Sequence, residues 1–118
     1  MIAILVDPKK RTMQYCQWDG SPASLHELLE CTTARYLEIS QRIGGFYNAR
    51  LQNRLNEVYS WMPCHYDWPR FPEKTLVVGR NDAGRVTDVA LSIDSLSAAD
   101  NSGIFIPGKG FYRGLWKS

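Results

Sequence analysis

Turn-forming residues cut this chain at short intervals, and that spacing limits the fold more than any other feature. Asp7-Pro8-Lys9-Lys10, Asp19-Gly20-Ser21-Pro22, Gly44-Gly45, Asn81-Asp82-Ala83-Gly84 and Pro107-Gly108-Lys109-Gly110 each interrupt the pattern around them. Between Pro63 and Pro72 the prolines exclude a regular element. The runs left between these breaks suit strands joined by hairpins. They are too local to hold the helical crossover that a parallel strand pair needs. The 118 residues therefore read as a single domain, 1–118, of the α+β class. The expected architecture is a mostly antiparallel sheet of about six strands with two helices packed on one face.

Periodicity places the elements. Ile2 to Val6 is an unbroken apolar run rich in β-formers, and Thr12 to Trp18 returns beside it as a hairpin. Ser21 is placed to cap a helix with Pro22 at its first position, and Leu25, Leu28 and Leu29 carry its apolar face to about Cys31. Ala34 to Ser40 alternates as a strand. Leu51, Leu55, Val58, Tyr59 and Met62 recur at helical spacing, which predicts a second helix over Tyr47 to Tyr59. Asn48, Asn53 and Asn56 pull against that helix. Thr75 to Gly79 and Arg85 to Ile93 read as a hairpin about the Asn81–Gly84 turn. The stretch from Ser95 to Ser102 reads as loop. Ile104 to Ile106 and Phe111 to Trp116 read as a last hairpin.

Composition narrows the class of function. Lys and Arg exceed Asp and Glu by a formal charge of only +2, and the charges are dispersed. That argues against nucleic acid as a partner, and Lys9-Lys10-Arg11 reads as a solvated turn. No stretch approaches the ~20 apolar residues of a membrane span, so no membrane partner is expected. Cys16, Cys31 and Cys64 are odd in number and widely spaced, which suits free thiols in the cytoplasm better than a disulfide framework. Four Trp, six Tyr and four Phe supply large burial units and exclude intrinsic disorder.

Candidate chemistry gathers in one segment, Trp61 to Phe71. Trp61, Tyr66, Trp68 and Phe71 surround His65, Asp67 and Arg70 there. An irregular loop carrying aromatics and mixed polar groups is a common way to build a binding site. The candidate ligand- or partner-binding residues are Trp61, His65, Tyr66, Trp68 and Arg70. Arg70 would offer its guanidinium fork to a carboxylate or phosphate. The competing reading is a loop pinned to the core by its rings.

Other motifs carry less. Cys64 and His65 are adjacent, whereas a nucleophile and its base meet from separate segments. His26 and His65 are too few to hold a metal, so no metal or other cofactor is expected. Gly103 to Gly110 nearly spells a phosphate-binding loop. Gly110 stands where that motif needs Ser or Thr, and the following residues read as strand. Asp82, Asp88, Asp94 and Asp100 recur every six residues, but nothing in the sequence puts them in an apolar pocket.

The opening strand ending Val6-Asp7-Pro8, the basic turn, the second strand and the short helix at Leu25 to Leu29 resemble small uncharacterised proteins of phages and other mobile elements, integron cassettes included. The resemblance covers about the first third of the chain. It implies an accessory protein and names no activity. The expectation is an interaction module without catalytic activity that works as a homodimer and takes a protein or small-molecule partner. The alternative is a small enzyme with its site in the same loop. Short strands leave sheet edges bare, and Arg85 to Ile93 and Phe111 to Trp116 are the strands expected nearest a dimer contact.

Overall fold

The computed structural model describes residues 1–63, 70–98 and 102–117. The chain opens with the hairpin expected from its sequence, β1 (Ile2–Asp7) and β2 (Thr12–Gln17). Its turn is folded by Asp7, whose carboxylate accepts from the backbone of Lys9 and of Lys10, each at 3.1 Å. Helix α1 (Pro22–Leu29) follows, with Ser21 as its N-cap accepting from the Ser24 amide at 3.2 Å. Strands β3 (Ala34–Ser40) and β4 (Ile43–Asn48) form a second hairpin.

Gly44 and Gly45 therefore lie inside a strand and do not interrupt the chain. A Cβ on Gly44 would stand 2.1 Å from the Tyr36 ring, and one on Gly45 would stand 2.7 Å from the Thr75 methyl. The pair makes room for neighbouring side chains on both faces of β4.

The helix predicted over Tyr47 to Tyr59 is absent. Strand β4 runs on to Asn48, whose side chain accepts from the Arg50 amide and caps one 3-10 turn at Ala49–Leu51. Two further turns carry the chain onward, with Arg54 N donating to Leu51 O and Glu57 N to Arg54 O. Asparagine favours such local bonding over a helix interior. The second helix is α2 (Ile93–Ser97), capped by Ser92, in a stretch whose sequence reads as strand end and loop.

Strands β5 (Ser60–Met62), β6 (Phe71–Pro72), β7 (Thr75–Arg80), β8 (Val86–Thr87), β9 (Gly103–Ile106) and β10 (Gly110–Arg113) complete the elements. All pairings among the described residues are antiparallel. One six-stranded sheet has the order β2-β1-β7-β4-β3, with β8 also paired to β7. A four-stranded sheet has the order β10-β9-β5-β6. The expected count of about six strands fits the large sheet alone. The small sheet rests on pairings distant in sequence, such as Trp61 with Ile104.

The central strands β1 and β7 are apolar on both sides. Ala3, Leu76 and Val78 point to one face, which α1 covers with Leu25 and Leu29. Ile4, Val6 and Val77 point to the other, which Trp61, Phe71 and Leu96 cover. The small sheet and α2 thus share one face and α1 takes the opposite one. This corrects the expectation of both helices on a single face: a sheet buried on both sides needs a layer on each.

Of the two strands expected nearest a dimer contact, Phe111 to Trp116 is strand at β10, an end of the small sheet. The segment Arg85 to Ile93 is strand only at β8, which lies against β7, and Val89 N donates to Ile2 O at 2.9 Å. Strand β8 is two residues long and pairs with β7 alone. The path β2-β1-β7-β4-β3 of the large sheet ends on β2 and β3.

Candidate functional site

The sequence candidates in 61–71 fall into three groups. Trp61 lies in β5 and is 0% exposed. Its ring stacks on Phe71 at 5.5 Å between centroids, and its indole Nε1 donates to Ser102 Oγ at 2.8 Å. Trp116 Nε1 donates to the same oxygen at 3.0 Å. Trp61 is thus a core residue with its polar atom satisfied inside the fold. No part of it reaches the surface, so the contact with a ligand expected of it gains no support from its placement. His65, Tyr66 and Trp68 lie outside the described residues, as do Cys64 and Asp67.

Arg70 is half-buried and ties three pieces of its own chain together. Its Nε donates to Ser60 Oγ at 3.3 Å, Nη1 to Asn56 Oδ1 at 3.2 Å and Nη2 to Leu55 O at 2.6 Å. The guanidinium carbon lies 4.2 Å from the centroid of the Phe105 ring. All three nitrogens face acceptors supplied by the turns before β5 and by β5 itself. The guanidinium fork that the sequence suggested for an anion is engaged in holding those turns to the small sheet. Beside it lies a cavity of about 140 Å³ lined by Leu37, Tyr47, Gln52, Asn53, Leu55, Arg70 and Pro72. Pockets that take small molecules run to roughly 300–1,000 Å³.

The outer side of β2 differs. Met1 and Trp18 exchange hydrogen bonds, the terminal ammonium donating to Trp18 O at 2.7 Å and Trp18 N to Met1 O at 2.8 Å. Antiparallel ladders alternate such pairs, so Cys16, Gln14 and Thr12 turn their backbone groups toward Ala3, Leu5 and Asp7. The same alternation turns Ile2 outward from β2, toward β7 and β8. There its carbonyl accepts from Val89 N and its amide donates to Asp88 Oδ1 at 2.8 Å. It follows that Met13, Tyr15 and Gln17 present their backbone groups to the open side of the sheet. Ile2 is 43% exposed and Tyr15 54%. With Cys16 and Gln17 they line a shallow apolar hollow of about 480 Å³. The Tyr15 hydroxyl accepts from the Ile93 amide at 3.1 Å, which fixes the ring toward the start of α2. Burial pushes the Cys16 thiol above its ordinary pKa, so it stays protonated and is a weak nucleophile. The sequence signal for this surface is the run Thr12-Met-Gln-Tyr-Cys-Gln17, which holds no charge, glycine or proline.

Two polar hollows balance their charges. One, of about 260 Å³, brings Arg42 and Arg80 together with Asp82 and Asp88. Arg42 pairs with Asp82 at 2.9 Å, and Arg80 pairs with Glu38. The other, of about 780 Å³, sets Lys9, Lys10, Lys74 and Lys117 among Asp7, Glu30, Glu57 and Glu73. The residues that nearly spell a phosphate-binding loop form the β9–β10 hairpin. Among the described residues no group of His, Cys, Asp and Glu is arranged to hold a metal ion. No helix among them is long and apolar enough to cross a membrane. No family model matches the chain, and no curated protein or solved structure matches it.

Proposed function

We propose that this chain is an interaction module whose contact surface is the outer edge of β2 with the hollow beside it. One observation carries the reading: backbone donors and acceptors of Met13, Tyr15 and Gln17 line up on an open edge next to exposed Ile2 and Tyr15. Extended chains bind such edges through main-chain hydrogen bonds, with side-chain pockets adding specificity. Trp61 and Arg70 support the module from within, Trp61 in the core and Arg70 by joining the turns before β5 to the small sheet. Its neighbouring cavity, about 140 Å³, gives less support to a small-molecule enzyme. The free thiols of Cys16 and Cys31 fit a cytoplasmic setting. The resemblance of the first third to mobile-element proteins fits an accessory role.

Hydroxyl-radical footprinting of the chain, alone and in cell extract, tests the reading. Ile2 and Tyr15 are expected to be protected in at least one of the two conditions, while residues 52–55 and 70–72 keep their reactivity. Protection of 52–55 and 70–72 with Ile2 and Tyr15 left reactive would contradict it.

A further inference from the structure

Among the described residues the two sheets end on β2, β3, β6 and β10, with the two-residue β8 paired to β7 alone, and all but β2 carry features that discourage pairing. Strand β3 holds Arg35 and Glu38 and breaks register between Glu38 and Ser40. Strand β6 is two residues long and ends in Pro72. Strand β10 is four residues long, begins at Gly110 with φ of 102° and ends in Arg113. Charges, bulges, short length and proline are the usual protections of an exposed edge. Strand β2 has none of them. Its six residues are uncharged and in unbroken register with β1.

Resting on the reading of β2 as the contact surface, we propose that its occupant is a second copy of this chain, paired antiparallel β2 to β2 about a two-fold axis at Tyr15. The hydrogen-bonding alternation selects this register. Only Met13, Tyr15 and Gln17 offer outward backbone groups within β2, so they must pair among themselves. Centred on Tyr15, Met13 meets the partner's Gln17, Tyr15 meets the partner's Tyr15, and Gln17 meets the partner's Met13. Every outward group then finds a partner, with two hydrogen bonds in each pair. Centred on Gln14, Gln17 would face the partner's Arg11 instead. The Arg11 carbonyl already accepts from Lys117 N at 2.8 Å.

Charge complements the same arrangement. Lys9, Lys10 and Arg11 precede β2 and Asp19 follows it. Antiparallel pairing brings the basic turn of each copy beside the partner's Asp19. Hydrogen bonds from the Ser21 hydroxyl and amide hold the Asp19 carboxyl below its ordinary pKa, so it is ionised there. A heterologous partner would need no such self-complementarity. A closed two-fold contact does, and it removes the bare edge from both copies at once.

Sedimentation equilibrium with two kinds of variant tests the pairing. Wild type is expected at twice 13.5 kDa at micromolar concentration. Tyr15→Pro removes an outward amide and leaves the bonds from β2 to β1 intact, so it is expected to sediment as a monomer. Tyr15→Lys, which sets like charges opposite each other, serves if the proline variant does not fold. Gln14→Cys sets the register. Centred on Tyr15, residue 14 faces the partner's Cys16 in a non-hydrogen-bonded pair with Cα atoms about 4.5 Å apart, within disulfide reach. Mild oxidation with diamide is expected to cross-link Gln14→Cys and not Thr12→Cys. A monomeric wild type, a dimer that survives the Tyr15 variants, or cross-linking through Thr12→Cys alone would overturn the proposal. A monomer whose Ile2 and Tyr15 are protected only in extract would remove the second copy and keep the interaction module. A monomer protected in neither condition would remove both.

Discussion

The described ends of the 61–71 segment and the β2 edge both carry aromatic side chains and put them to opposite uses. In the first, Trp61 stacks on Phe71 and donates its N–H inward to Ser102. Arg70 there turns its three nitrogens onto Ser60, Asn56 and Leu55. In the second, the Tyr15 ring stays 54% exposed and its backbone points away from the rest of the sheet. An aromatic becomes core where its polar atom and both ring faces find partners within the chain. It becomes surface where the strand beneath it has no neighbour on one side. The abundance of rings in a sequence therefore does not by itself separate core from surface; the neighbours of the strand beneath each ring do.

The contrast orders the expected effects of substitution. Trp61→Ala should cost about 3–5 kcal/mol, as removal of a fully buried ring does. Chemical denaturation reads that loss, and a change under about 1 kcal/mol would place Trp61 outside the core. Arg70→Ala should cost about 1–3 kcal/mol, since it removes the charged hydrogen bonds to Ser60 Oγ, Asn56 Oδ1 and Leu55 O. Equal stability of the Arg70 variant and wild type would return this residue to the list of binding candidates. Tyr15→Ser should change the stability of the isolated fold by no more than about 0.5 kcal/mol, while its mass in solution changes. A stability loss as large as that of Trp61→Ala would make Tyr15 a core residue and erase the comparison.

Local signals made much of this fold legible. Asp7-Pro8 and Asn81–Gly84 announced their turns, Ser21-Pro22 announced α1, and the alternation in Ala34 to Ser40 announced β3. Other features depend on partners far along the chain. Gly44-Gly45 reads as a break until Tyr36 and Thr75 are seen to need the space. Leu51, Leu55 and Val58 repeat at helical spacing, yet their turns serve to close the face beside Arg70. The small sheet joins Ser60–Met62 to Gly103–Ile106 across the intervening β6, β7, β8 and α2, and no periodicity within either segment predicts the other. Of the candidate site residues, Trp61 and Arg70 have chemistry suited to binding and neighbours that use it internally. The β2 edge was legible in principle, because six consecutive residues without charge, glycine or proline leave a terminal strand without the usual protections. Its position at the end of the sheet was not, since strand order is a long-range property.

Residue-resolved amide hydrogen exchange, followed as protein concentration rises from nanomolar to high micromolar, tests the central claim most directly. The amides of Gln14 and Cys16 bond to β1 and should be protected at every concentration. Those of Met13, Tyr15 and Gln17 should exchange freely in dilute solution and become protected as the chains associate. Exchange of these three that stays fast at all concentrations, with protection growing instead at residues 52–55 and 70–72, would contradict the assignment of β2 as the contact surface.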